Sequence, residues 1–275
     1  LLQSSAQLFS SRSGEGRVLF TPRYQDIGTI TNYQFTIRNT QSGAVVKEDT
    51  GTLPGTFNWD GRDSLGILSP DGSYQAQLRL ALAKGSILSA TSQPIILDAT
   101  PPQAKVTAEP VIFSPNGDGK QDAATFTIGA DGGNQWTGSV ITSDGRVIKS
   151  FNWKGNPPAS IIWDGTDDGN SHAPDGTYRF RLEGLDLAGN RTVVESTPVT
   201  LDARRPAATI TSDLTAFSPN KDGFADSVKI RLVSAFTDGL AHFIVEIRDR
   251  NGTRVRRLTE GTHLDQSAQF LWDGS

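Results

Sequence analysis

Trp163-Asp164-Gly165-Thr166-Asp167-Asp168-Gly169-Asn170, followed by Pro174-Asp175-Gly176-Thr177-Tyr178, is the stretch that decides the fold. An apolar segment, Ile161-Ile162-Trp163, runs into a cluster of Asp, Asn and Gly. Gly supplies positive φ at no steric cost, and Asp side chains accept hydrogen bonds from their own backbone, so the cluster reads as tight turns. Beyond it Tyr178, Phe180 and Leu182 alternate with polar residues. That period of two places one face inward and describes a half-buried strand.

The same punctuation returns elsewhere. Trp59-Asp60-Gly61, Trp163-Asp164-Gly165 and Trp272-Asp273-Gly274 are separated by 163 − 59 = 104 and 272 − 163 = 109 positions. Pro70-Asp71-Gly72-Ser73-Tyr74, Leu97-Asp98-Ala99 and Phe113-Ser114-Pro115-Asn116 each recur 104 positions later, at Pro174, Leu201 and Phe217. A common period across separate motifs means duplicated domains. The joints lie at Leu97-Asp98-Ala99-Thr100-Pro101-Pro102 and Leu201-Asp202-Ala203-Arg204-Arg205-Pro206, where Pro restricts the link to extended backbone. The expected domains are 1–100, 101–204 and 205–275.

Between these landmarks the segments are short and alternating. Val140 to Ile148 around Asp144-Gly145, and Val245 to Val255 around Asn251-Gly252, read as hairpins. Such dipeptides suggest type I′ turns, which need positive φ at both central residues. No stretch sustains a helical period with caps. The fold class expected is all-β: tandem immunoglobulin-like antiparallel β-sandwiches arranged end to end. A chain of 275 residues with 28 Gly and 14 Pro suits several domains of about 100 residues each.

Bulk charge narrows the partners. The net charge is −4, and the basic runs are confined to Arg204-Arg205 and Arg254, Arg256 and Arg257, so no nucleic acid is expected. No apolar run approaches the length of about 20 residues that spans a bilayer as a helix. There is no Cys, which removes disulfides, thiolate catalysis and Cys-based metal sites. There is no Met either, so the sequence reads as a segment of a longer chain.

The order of strand, Asn/Asp-Gly hairpin, Trp-Asp-Gly, Pro-Asp-Gly-x-Tyr, strand and Asp186-Leu187-Ala188-Gly189-Asn190 resembles the FlgD-type immunoglobulin-like domain of bacteria. The first copy departs most, since no Asn-x-Asp-Gly follows Phe9-Ser10. The resemblance implies an exported protein of the periplasm, outer membrane or cell surface, with protein or cell-envelope components as partners. Relatives of that type include envelope proteins with an OmpA-like peptidoglycan-binding domain, the flagellar hook-capping protein and exported hydrolases.

Three sets of residues invite a chemical role. Asn116, Asp118 and Asp122, and likewise Asn220, Asp222 and Asp226, place side-chain oxygens at positions one, three and seven of a Gly-containing loop. Calcium takes six to eight oxygens from such acidic loops, although these are shorter than an EF-hand and lack its final Glu. The alternative is an Asx-turn in which the same oxygens cap their own backbone. Asp164, Asp167, Asp168 and Asp175 form the densest acidic cluster, either a glycosidase carboxylate pair or, again, turn residues. Of the Trp residues, Trp59, Trp163 and Trp272 in the repeat motif offer themselves as sugar-stacking platforms but read first as core or corner. Trp136 and Trp153 are left as the candidates for a surface contact. His172, His242 and His263 lack zinc spacing, and no Gly-x-Ser-x-Gly elbow accompanies them.

Taken together, the expectation is a chain that is not an enzyme: a structural spacer that projects or positions another module of a bacterial envelope or surface protein. Adhesion to a protein partner and an accessory role beside an exported hydrolase are the alternatives. The third repeat stops after Trp272-Asp273-Gly274, without counterparts of Ala173 to Leu201. Its missing strands are expected from continuation of the chain, and Val245, Ile247, Phe270 and Leu271 are expected to lie uncovered without them.

Overall fold

The computed structural model describes residues 1–12, 16–235 and 240–275. Among these every regular element is a strand, and the chain packs as two units, Leu1–Asp202 and Ala203–Ser275.

The first unit holds two hydrophobic cores, each enclosed by two sheets. In the earlier sandwich the strands are β1 (Leu2–Ser4), β2 (Leu8–Phe9), β3 (Val18–Pro22), β4 (Ile30–Asn39), β5 (Val45–Gly51), β6 (Phe57–Trp59), β7 (Gly72–Leu82), β8 (Ile87–Thr91) and β9 (Ile95–Leu97). One sheet runs β1-β3-β6, and the other β2-β9-β7-β4-β5 with β8 beside β7. Alternation sends Val18, Phe20, Phe57 and Trp59 of the first sheet against Phe35, Ile37, Tyr74, Ala76 and Leu78 of the second, all buried.

The later sandwich repeats the order. Its strands are β10 (Gln103–Glu109), β11 (Ile112–Phe113), β12 (Ala124–Asp131), β13 (Gln135–Thr142), β14 (Val147–Lys154), β15 (Ser160–Trp163), β16 (Gly176–Leu185), β17 (Arg191–Glu195) and β18 (Val199–Leu201). The sheets run β10-β12-β15 and β11-β18-β16-β13-β14, with β17 beside β16. Phe113, Phe126, Trp163, Tyr178, Phe180 and Leu182 fill the space between them.

Pro-Asp-Gly-x-Tyr turns out to be the tyrosine corner of the immunoglobulin sandwich. At the start of β7 the Tyr74 hydroxyl donates to the Pro70 carbonyl at 2.7 Å, and at the start of β16 Tyr178 donates to Pro174 at 2.5 Å. The fold is thus all-β, with tandem immunoglobulin-like sandwiches. Sequence reading found the repeat of this motif and missed its bond, although a Tyr two residues after the Gly, opening an alternating strand, was the available signal.

The second unit contains β19 (Ala207–Ser212), β20 (Val228–Ala235), β21 (Phe243–Arg248), β22 (Arg254–Gly261) and β23 (Ser267–Trp272). They form a sheet β19-β20-β23 and a ladder β21-β22. Among the described residues β21 pairs only with β22, whereas its counterpart β13 pairs with both β14 and β16. Leu271 is 64% exposed, but Val245 is buried with Val228 and Leu232, and Ile247 and Phe270 are half-buried. The expectation that all four lie uncovered is therefore wrong for Val245, which is buried although β21 pairs on one side only among the described residues.

The hairpins also differ from expectation. Gly145 and Gly252 have φ of +85° and +82°, while Asp144 and Asn251 are not left-handed. The Gly145 amide donates to the Thr142 carbonyl and the Thr142 amide to Arg146, a type I turn closed by a left-handed Gly, and the 249–253 turn is built alike. The ladder registers shift nearby, at Val140/Ile141 and Ile247/Arg248, so the turn is a bulged one and not type I′.

Candidate functional site

Trp59, Asp60, Trp163, Asp164, Trp272 and Asp273 build the same corner three times. Each Trp ends its strand, and its indole Nε1 donates to the carbonyl three residues on: Arg62 at 2.8 Å, Thr166 at 2.8 Å and Ser275 at 3.3 Å. The next residue, Asp60, Asp164 or Asp273, accepts the amide of residue 62, 166 or 275 at 3.1 Å each. A Phe meets each indole at a steep angle, Phe9, Phe113 and Phe217, with ring centroids 5.4, 5.3 and 5.1 Å away. Trp59 and Trp163 are fully buried and Trp272 is half-buried. The Thr166 hydroxyl holds the Asp164 carboxyl below its ordinary value, and the Ser275 hydroxyl does the same for Asp273. A stacking platform for a sugar needs an open ring face, and Trp59 and Trp163 offer none.

Asp167 and Asp168 of the acidic cluster are occupied by backbone. Asp167 Oδ1 accepts from the Gly169 and Ser171 amides at 2.9 and 2.8 Å, and Asp168 Oδ1 from Ser150 at 2.9 Å. Asp71, the counterpart of Asp175, accepts from the Ala99 amide at 2.7 Å and from the Thr100 hydroxyl, tying the tyrosine corner to the segment that leaves the sandwich. A glycosidase pair needs one carboxylate free to attack or to take a proton beside a second. Asp164 and Asp167 instead stabilise the turns that carry them, and Asp168 ties its turn to β14.

The two Asn-x-Asp-Gly loops are superimposable in their bonding. Asp122 accepts the Gly117 and Gly119 amides at 2.8 and 2.7 Å, one on each oxygen, and Asp226 accepts Lys221 and Gly223 at 2.6 and 2.8 Å. Asn116 and Asn220 accept the amides of Asp118 and Asp222, while Asp118 and Asp222 accept those of Lys120 and Phe224. The Asn220 side-chain amide, followed by the Phe224 backbone, holds the Asp222 carboxyl low. All six oxygen-bearing residues are thus brought together with their own loop's N–H groups. Among the described residues no three Asp, Glu or His converge in metal-ligand geometry.

Of the two Trp residues chosen for a surface contact, Trp136 is not free to make one, and Trp153 is half-buried. Trp136 is fully buried: its indole lies where a side chain at Gly184 would sit, a Cβ there coming within 2.4 Å of the ring. Trp153 stacks parallel to Phe151 at 5.8 Å and packs on the later core. Their place outside the repeated motif made them look exceptional, but in register Trp136, opposite Gly184, corresponds to Tyr33, opposite Leu80, in the first sandwich. His172, His242 and His263 are exposed and far apart in sequence, and His263 faces Asp265, at 3.4 Å.

No protein-family model matches this chain, and no curated protein matches it. Among solved structures, it is similar to the fibronectin(III)-like modules of Clostridium thermocellum CbhA, at 15% identity and TM-score 0.36, over 73% of this chain and 94% of that one. It is also similar to a 1.5-MDa bacterial ice-binding adhesin, at 14% identity and TM-score 0.40, over 100% and 86% of the two chains. A Ca2+-stabilized adhesin of an Antarctic bacterium gives 15% identity and TM-score 0.43, over 99% of this chain and 65% of that one. Overlaps this loose assign no activity, and the fold stands on the sheet orders, cores and tyrosine corners.

Proposed function

We propose that the chain is a non-catalytic spacer of an exported bacterial protein, which positions another module at the envelope or cell surface, as its FlgD-type resemblance implies. One observation carries this: the side chains that recur from repeat to repeat are consumed by the fold. Each Trp-Asp-Gly corner closes on its own backbone, and Asp71, Asp122, Asp167 and Asp226 all accept main-chain or neighbouring hydroxyl donors. Repetition of residues that only build the sandwich adds length. A spacer has to be long, so solution scattering of the whole chain tests this function: a compact particle would remove it.

Adhesion has one observation in its favour. In the turn 63–67 of the first sandwich Leu65 and Ile67 are 84% and 61% exposed, where the matching turn of the second carries Gly169 and Ser171. Both turns close with the same bonds, Asp63 to Ile67 at 2.8 Å and Asp167 to Ser171 at 2.8 Å, so the apolar pair is not needed for the turn. Calcium is the competing reading of loops 116–122 and 220–226, which hold the oxygen donors it prefers. To take the ion, Asp122 and Asp226 have to release amides that they already hold. A calcium titration followed by melting temperature is expected to move it by less than about 1 °C. A rise of several degrees, reversed by chelator, would assign these loops to the metal.

A further inference from the structure

The turn 186–190, between β16 and β17, is built like the turn 82–86 of the first sandwich. Gly189 donates to the Asp186 carbonyl and Asp186 to Asn190, as Gly85 donates to Leu82 and Leu82 to Ser86. Residues 83–86 are all exposed, whereas Asn190 is 1% exposed and Ala188 is 9% exposed. What covers the later turn is the first sandwich. Ser10, just past β2 and itself fully buried, donates its hydroxyl to Asn190 Oδ1. One Nδ2 proton of Asn190 goes to the Asp98 carbonyl, just past β9, at 2.9 Å, and the other to Asp186 Oδ2 at 2.8 Å. Beside it the Thr192 hydroxyl donates to the Pro102 carbonyl at 2.6 Å.

Since Leu82 and Ser86 make the same turn without Asp or Asn, the Asn190 carboxamide is surplus to the turn. Two of its three bonds link residues that lie 180 and 92 positions apart, and the third donates to the carboxylate of Asp186 beside it. The environment raises what is at stake. Desolvation and, after it, the Asp186 and Asp71 charges push the Asp98 carboxyl up, so carboxylates crowd this contact. A buried carboxamide satisfied on both its oxygen and its nitrogen holds one geometry, because any other leaves a desolvated polar group unpaired.

We propose that Asn190 is a latch that locks the first two sandwiches into one rigid body, with Ser10 and the Asp98 carbonyl as its strike plate. The latch stands on this contact alone, and holds whether or not the chain acts as a spacer.

The chain has no Cys, so paired spin labels can be placed without background. Arg79→Cys on β7 and Thr127→Cys on β12 put them at exposed strand positions of the two sandwiches. Pulsed dipolar spectroscopy on the full chain is expected to give one narrow distance distribution. Asn190→Ala, and separately Ser10→Ala, should widen it at least twofold, while Ser86→Ala leaves it unchanged. Circular dichroism checks that each variant is folded. Should Asn190→Ala fail to fold, Ser10→Ala, which sits in the other sandwich, decides alone. A broad distribution in the parent, or a folded latch variant as narrow as the parent, overturns the proposal.

Discussion

At the scale of single residues, the decisive fact is where each recurring side chain puts its polar atoms. Trp163 is fully buried, with its indole nitrogen on the Thr166 carbonyl and its ring 4.8 Å from Tyr178. Truncation leaves a large cavity, so Trp163→Ala is expected to destabilise the later sandwich by about 3–5 kcal/mol in a denaturant titration. Equal stability of variant and parent would restore the ring to a surface role. Asp98 gives a pH test. Its carboxyl is pushed up in the folded chain, chiefly by desolvation. The folded state therefore favours the protonated form: this contribution is present below the ordinary value of 3.8 and lost as pH rises through the raised one. Asp98→Asn, which keeps an acceptor for the Thr100 amide, should melt higher than the parent at pH 7 and equally at pH 3. A variant that melts lower at pH 7 would show that the charge is compensated.

Single strands and turns were the most legible level of the sequence. The alternation of Tyr178, Phe180 and Leu182 gave β16 its inward face, and the Asp-Gly and Asn-Gly pairs marked both hairpins, because period and turn chemistry are local properties. What escaped was decided by neighbours. The turn type depends on how ladder register and twist meet across the hairpin, which is why Gly145 alone is left-handed. Trp136 read as a surface residue because its slot is made by Gly184 on the next strand, directly opposite in register. That pairing yields a test. Gly184→Ala drives a methyl into the Trp136 ring and should cost about 1–3 kcal/mol by overpacking. Gly129→Ala on β12 meets nothing within 4 Å and should be neutral or slightly stabilising. Similar behaviour of the two variants in thermal melts would contradict the slot.

On the scale of the whole molecule, the period of 104 announced duplicated sandwiches, and two of them carry complete cores with the same strand order. The calcium and turn readings of loops 116–122 and 220–226 could not be parted by sequence, since both use the same oxygens, and only the direction of the backbone amides distinguishes them. In the proposed spacer, repetition serves length. Strands of about 3.3 Å per residue make each sandwich roughly 35–40 Å long, so an end-to-end array reaches about 100 Å with a radius of gyration near 30 Å. A compact globule of the same 275 residues has a radius of gyration of about 19 Å and a maximum dimension of about 50 Å. Small-angle X-ray scattering of the intact chain separates the two: the spacer account predicts a rod-like distance distribution extending to about 100 Å, and a symmetrical distribution ending near 50 Å would contradict it.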